Sequence, residues 1–189
     1  MRKKLLIALG VLLVVVVGFL GVVALQPRTF SIERSTNIAA QPSVVFAELD
    51  DFEAWNAWSP WAKLDPNAKT TMSDPSSGKG ARFTWSGNDQ VGEGSLTMLE
   101  SNPPQLVEVE QEFVRPMAGK ARMAFILVPR DGGTQLTWKM HGKNDFIGRA
   151  ICMFMNMDAL VGKNFEKGLA AIKSLAEKHA GDPATAPAI

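Results

Sequence analysis

The sequence predicts an α+β domain, a curved antiparallel sheet wrapped around one long C-terminal helix, preceded by a single N-terminal transmembrane helix. Three observations predict it. Leu5 to Leu25 is an uncharged apolar run preceded by Arg2, Lys3 and Lys4. Between Lys69 and His141 apolar residues recur with a period of two, and after Asp145 the period becomes helical.

At ~1.5 Å rise per residue the first run forms a helix that matches a ~30 Å hydrocarbon core. Three basic residues precede it and only Arg28 and Arg34 follow shortly after. The positive-inside rule then leaves the N-terminus cytoplasmic and the domain extracytoplasmic, a single-pass protein of the cell membrane. Val22-Val23-Ala24 keeps a cleaved signal peptide as the alternative, with a secreted or periplasmic product. Signal cores are usually only ~7–15 residues long, which favours the uncleaved anchor. The expected organisation is a basic flank at 1–4, the span at 5–25, a linker at 26–28, one domain at 29–179 and a tail at 180–189. The tail, AGDPATAPAI, has nothing to bury and is expected to be disordered.

Removing Arg2, Lys3 and Lys4 from the 20 basic residues leaves 17 against 19 acidic, a balance of −2. No run of Lys and Arg interleaves with aromatics, so nucleic acid is not an expected partner. Cys152 is the only cysteine, which rules out an intramolecular disulfide. His141 and His179 are far apart and neither has Cys152 at a ligand spacing, so a His/Cys metal site has little support, and no cofactor is implied.

The elements follow in order. Phe30, Ile32 and Ile38 share one parity against Ser31, Glu33, Ser35 and Asn37, the pattern of a half-buried strand. Pro42 suits the first turn of a helix, where its missing N–H is not needed, and Val45, Phe46 and Leu49 are that helix's apolar face. Phe52, Trp55 and Trp58 then recur at three-residue steps until Pro60, a second short helix laid across something apolar. In the period-two block Ala81, Phe83 and Trp85 alternate with Arg82, Thr84 and Ser86. Val107, Val109 and Phe113 alternate with Glu108, Glu110 and Glu112, and Leu136, Trp138 and Met140 with Thr137, Lys139 and His141. Turn signals at 87–89, 102–104, 116–119 and 131–133 divide this block into hairpins. Gly92 and Gly94 are expected on one side of their strand, where bare backbone lets it bend or a ligand approach. Phe146 to Met157 is too apolar all round for an ordinary surface helix. After it, Val161, Phe165, Gly168, Ile172 and Leu175 form the stripe of a long helix lying on the dry sheet face.

Ile38-Ala39-Ala40-Gln41-Pro42 before Val45-Phe46, Asp51-Phe52 through Trp55, Trp58-Ser59-Pro60-Trp61 and Asp65-Pro66 form one set of motifs. Gly92-Glu93-Gly94, Thr137-Trp138 with Gly142, and Gly162-Lys163-Asn164-Phe165-Glu166-Lys167-Gly168-Leu169 complete it. Together they resemble the polyketide cyclase/dehydratase-type, membrane-anchored bacterial branch of the START-like (SRPBCC) superfamily, from about Thr29 to Lys178. The resemblance implies a helix-grip fold holding an apolar molecule between sheet and long helix. It implies a pocket, not a reaction.

The expected cavity lies between the dry sheet face and the long helix, lined by some of Trp55, Trp58, Phe83, Trp85, Trp138, Met140, Met157, Val161 and Phe165. Each has a blander reading. Trp55, Trp58 and Trp61 either wall a flat ligand or seal one end of the core. Trp85 and Trp138 suit a core, and Met153, Met155 and Met157 adapt to a ligand, fill gaps in a helix–sheet interface or touch the bilayer surface. Asp50, Asp51 and Glu53 beside the tryptophans are read as helix-capping and solvated rather than catalytic. Arg34, on the dry parity of the first strand, is read as a side chain snorkelling at the sheet edge, with pairing to a carboxylate or an acidic head group as the alternative, Cys152 as a buried inert thiol and His141 as a solvated imidazole. The functional expectation is therefore a membrane-anchored extracytoplasmic domain that binds a small apolar or amphipathic molecule, lipid or polyketide-like. The alternatives are a cyclase or dehydratase working in the same cavity, and an interaction module with an apolar groove.

Overall fold

Alternation of apolar and polar residues builds the sheet, and helical spacing builds the elements around it. The computed structural model describes residues 2–181. Its elements are α1 (Arg2–Leu25), β1 (Thr29–Ile38), α2 (Pro42–Asp50), α3 (Trp55–Trp58), β2 (Lys69–Met72) and β3 (Arg82–Ser86). They continue with β4 (Glu93–Asn102), β5 (Leu106–Arg115), β6 (Gly119–Arg130), β7 (Gly133–Lys143), α4 (Phe146–Cys152) and α5 (Met157–Gly181). Of the expected tail, Ala180 and Gly181 close α5, and residues 182–189 lie outside the described residues.

The chain divides into two compact units, Met1–Phe30 with Lys143–Met157, and Ser31–Gly142 with Asp158–Ile189. In the first, α1 is long and apolar enough to cross a membrane and is almost wholly exposed. α4 begins at Asp145, whose Oδ1 accepts from Gly148 N at 2.7 Å and so satisfies one of the helix's orphan donors. Cys152 at its end is exposed, which corrects the expectation of a buried thiol. The apolar neighbours that suggested burial in the sequence do not enclose it.

In the second unit the strands form one seven-stranded sheet in the order β1-β7-β6-β5-β4-β3-β2. Register shifts in β4–β5 at Glu93/Gly94 and Met98/Glu100 curve it, because a bulge adds a residue to one strand and increases the local twist. The dry face reads Phe83 and Trp85 on β3; Gly94, Leu96 and Met98 on β4; Val107, Val109, Gln111 and Phe113 on β5. It continues with Ala121, Met123, Phe125 and Leu127 on β6, and Leu136, Trp138 and Met140 on β7. α5 lies on this face, with Phe165 stacked on Trp138 at a ring separation of 4.1 Å. This is the helix-grip arrangement.

The buried side of α5 is Gly162, Phe165, Gly168, Leu169, Ile172 and Ala176, so it is rotated from the expected stripe and Val161 and Leu175 lie at its margin. Small residues allow the close approach. A Cβ on Gly168 would lie 2.7 Å from Trp138 Cζ3. The C-terminal half of α5 is clamped by Lys173 Nζ donating to Asn37 O (2.6 Å) and Ala39 N donating to Glu177 Oε1 (2.8 Å). That backbone donor, helped by Lys173, holds the Glu177 carboxyl below its ordinary pKa. His179 Nδ1 lies 2.7 Å from Oε1 of the buried Glu48, tying α5 to α2.

Candidate functional site

The dry face has two ends that differ in cover. At one, α2 and α3 close the core. Trp55 Nε1 donates to Leu49 O at 2.9 Å and Trp58 Nε1 to Glu48 O at 2.8 Å, so both indoles cap carbonyls that the end of α2 leaves without intrahelical partners. Trp55 and Trp58 are buried, their rings 4.8 Å apart and both edge-on to Phe125. Trp138 meets Trp58, Trp61, Phe125 and Phe165 and is fully enclosed. Met140 is also buried. Of the nine residues expected to line a cavity, Trp55, Trp58, Trp138, Met140 and Phe165 thus sit in packed surroundings.

At the other end Phe83 and Trp85 are only half-buried, stacked at 6.1 Å. Trp85 also meets the edge of Phe113, itself half-buried, and Phe83 joins this pair to Phe52 and hence to the tryptophans. Val161 on α5 is half-buried, and Met157 belongs to the first unit. The two glycines depart from expectation. Gly92 precedes β4 in a turn with φ of 66°, and Gly94 is not bare: the Trp85 ring lies on it, so close that a Cβ there would be 2.6 Å from Cζ2. Trp85 is pinned in that position by its Nε1 donating to Val91 O at 2.9 Å.

Sequence reasoning missed Gln111. It occupies the dry parity of β5 between Val109 and Phe113, opposite Leu96 on β4 and Ala121 on β6. Its Oε1 is buried and makes no hydrogen bond, and the same holds for Trp138 Nε1. Such atoms are rare in folded proteins, because each loses its hydration without compensation. The signal was present: one amide interrupts an otherwise apolar parity.

The charged candidates fall outside this face. Asp51 accepts from Ser76 Oγ (2.7 Å) and Glu53 N (2.9 Å), and Glu53 is exposed. Asp50 departs from the solvated reading, with Oδ1 buried and unbonded. Arg34 does not snorkel alone. It pairs with Asp158 and Glu166 on α5, each at 3.0 Å, and its guanidinium lies where a Cβ on Gly162 would clash. Hydrogen bonding from Arg34 holds the Asp158 carboxyl below its ordinary value. His141 is exposed. Among the described residues no group of three or more His, Cys, Asp or Glu side chains is placed to hold a metal ion. A surface depression of about 450 Å³ lies by the β6–β7 turn, but its cations are engaged, Arg130 with Gln135 and Lys173 with Asn37 and Glu177.

A curved antiparallel sheet gripping one long helix, with an aromatic-lined face between them, defines a START-like domain. Residues 29–177 match the model of the family described as polyketide cyclase / dehydrase and lipid transport, and the chain belongs to that family. No curated protein matches it. Among solved structures it is similar to the Zhui aromatase/cyclase from Streptomyces sp. R1128, with a TM-score of 0.58, 15% identity, and 80% of this chain and 95% of that chain covered. It is also similar to the di-domain ARO/CYC StfQ from the steffimycin biosynthetic pathway (0.61, 13%, 82% and 53%). Protein CV1439 from Chromobacterium violaceum is a third such structure (0.57, 16%, 78% and 96%). At these identities the likeness establishes the fold alone.

Proposed function

We propose that this is a membrane-anchored, extracytoplasmic binding domain for a small apolar or amphipathic molecule, lipid or polyketide-like, seated on the half-open end of the dry face. The observation that carries the reading is the half-buried Phe83–Trp85–Phe113 cluster on the same face as the buried, unbonded Gln111 amide oxygen. Apolar surface left half-wet is favourable to cover, at about 25 cal/mol per Å² before the costs of association. A ligand hydroxyl or amide would supply the donor that Gln111 lacks. From β3 to β7 the dry face carries no titratable side chain among the residues above, which favours binding over acid–base chemistry. α1 supports the anchor, and the three basic residues before it support a cytoplasmic N-terminus.

Native mass spectrometry of the full chain released from lipid nanodiscs tests this. A molecule retained by the parent protein and lost from Trp85→Ala, with the near-ultraviolet circular dichroism otherwise preserved, is the expected result. Equal retention by both, or none by the parent in the presence of an added fatty acid, sinks the reading. Turnover of the retained molecule would move the function to a cyclase or dehydratase.

A further inference from the structure

The segment from Phe146 to Met155 has no part in the proposed binding face. Within the first unit it runs beside the end of α1. Phe154 stacks on Phe19 with ring centroids 6.4 Å apart, Arg149 Nη1 donates to Ala24 O at 3.0 Å, and Asn144 N donates to Arg28 O at 2.8 Å. It nevertheless turns large apolar side chains outward: Phe154 is 77% exposed, Ile147 60%, Met155 48% and Phe146 41%.

We infer that this segment is an interfacial foot, lying in the headgroup boundary of the bilayer leaflet at the C-terminal end of α1. The inference rests on the anchoring of α1 proposed above. Its depth follows from α1 itself. The 24-residue helix is about 36 Å long and exceeds a ~30 Å hydrocarbon core by only about 6 Å. Phe19 precedes Leu25 by about 9 Å of helix, so it lies a few Å inside the hydrocarbon boundary, and Phe154 stacked on it reaches the same depth. That agrees with the ~5–10 Å burial of helices lying in the interface. Charge agrees as well. Arg28 and Lys143 precede the segment, Arg149 lies within it, and no carboxylate falls between Phe146 and Met155, the neighbouring Asp145 accepting from the Gly148 N–H.

Cys152 is the only cysteine, so a Cys152→Ser background allows a single label. An environment-sensitive fluorophore is attached at Phe154→Cys in the full chain, reconstituted into phosphatidylcholine–phosphatidylglycerol vesicles. The expected result is blue-shifted emission, quenching by lipid with a nitroxide near the headgroup end of its acyl chain, and loss of quenching by aqueous iodide. Ile147→Cys repeats the measurement without touching the Phe19–Phe154 stack. A label at Val15→Cys in α1 reports the anchor separately. If Val15 is quenched by deep nitroxide while both foot labels remain open to iodide, the anchor stands and the foot is overturned. Foot labels shielded from iodide yet untouched by nitroxide lipid would mean a protein surface covers the patch, which also overturns it. A Val15 label outside the lipid fails the anchor and the foot together.

Discussion

Trp138 on β7 and Trp85 on β3 share a strand pattern and a face, yet Trp138 is enclosed and Trp85 keeps part of its ring in solvent. The difference lies in what stands opposite. Trp138 meets Phe165 from α5 and Trp58 and Trp61 from the segment after α2. The ring and close backbone contacts of Trp85 come from the sheet and its own hairpin: Phe83, Phe113, Gly94 and Val91 O. One end of the dry face is a core, and the other is a hydrophobic surface held in shape by its own strands.

The largest effect that would sharpen this contrast is on stability. Trp138→Ala should cost roughly 3–5 kcal/mol in urea unfolding of the full chain in mild detergent, the range for truncating an aromatic within a packed core. Trp85→Ala should cost clearly less while abolishing ligand retention. Equal losses would mean that the two ends are equivalent and that the binding face is core.

A smaller effect tests the closeness of helix and sheet at the sealed end. In an ordinary helix Gly→Ala gains up to about 1 kcal/mol. At Gly168 the added methyl meets Trp138, and overpacking of this kind typically costs ~1–3 kcal/mol, so the melting temperature of Gly168→Ala should fall. A rise would show that α5 stands further off.

The smallest effect is electrostatic and lies at the margins of α5. Asp158 is held below its ordinary pKa by hydrogen bonding from Arg34, and Glu177 by the Ala39 N–H and then Lys173. Each carboxylate therefore contributes stability above the ordinary carboxylate range and loses it as the pH falls through its lowered value. The groups are solvent-exposed, so the contribution is small and weakens with salt. Urea midpoints followed downward from neutral pH should decline less steeply for Asp158→Asn than for the parent. Superimposable profiles would show that the Arg34 pairing does not hold α5.

Much of the fold was legible because periodicity is a local property. The parities of Phe83/Trp85 and Trp138/Met140 identified a face, Pro42 and Pro60 marked helix limits, and the spacing through Phe165 and Ile172 announced α5. The rotation of its buried side onto Gly162, Leu169 and Ala176 was not legible. It depends on how closely small residues let the helix approach Trp138. For Arg34 a carboxylate partner was the lesser of the expected alternatives, and spacing could not name Asp158 and Glu166, which lie more than a hundred residues away. Gln111 was readable in principle, as the one polar residue between Val107 and Phe113 on the dry parity of β5.

The sequence by itself determined which residues of the strands face inward, because strand geometry translates spacing directly into direction. It also determined the apolar helix at the N-terminus, since length and absence of charge are read without any partner. The tertiary structure alone decided which inward residues are packed and which remain half-open, because that depends on what the chain brings opposite them. It laid Trp85 over Gly94, turned Trp55 and Trp58 into caps for α2, and set Phe154 on Phe19 near the end of α1. Each of these is a contact between segments whose meeting no local pattern encodes.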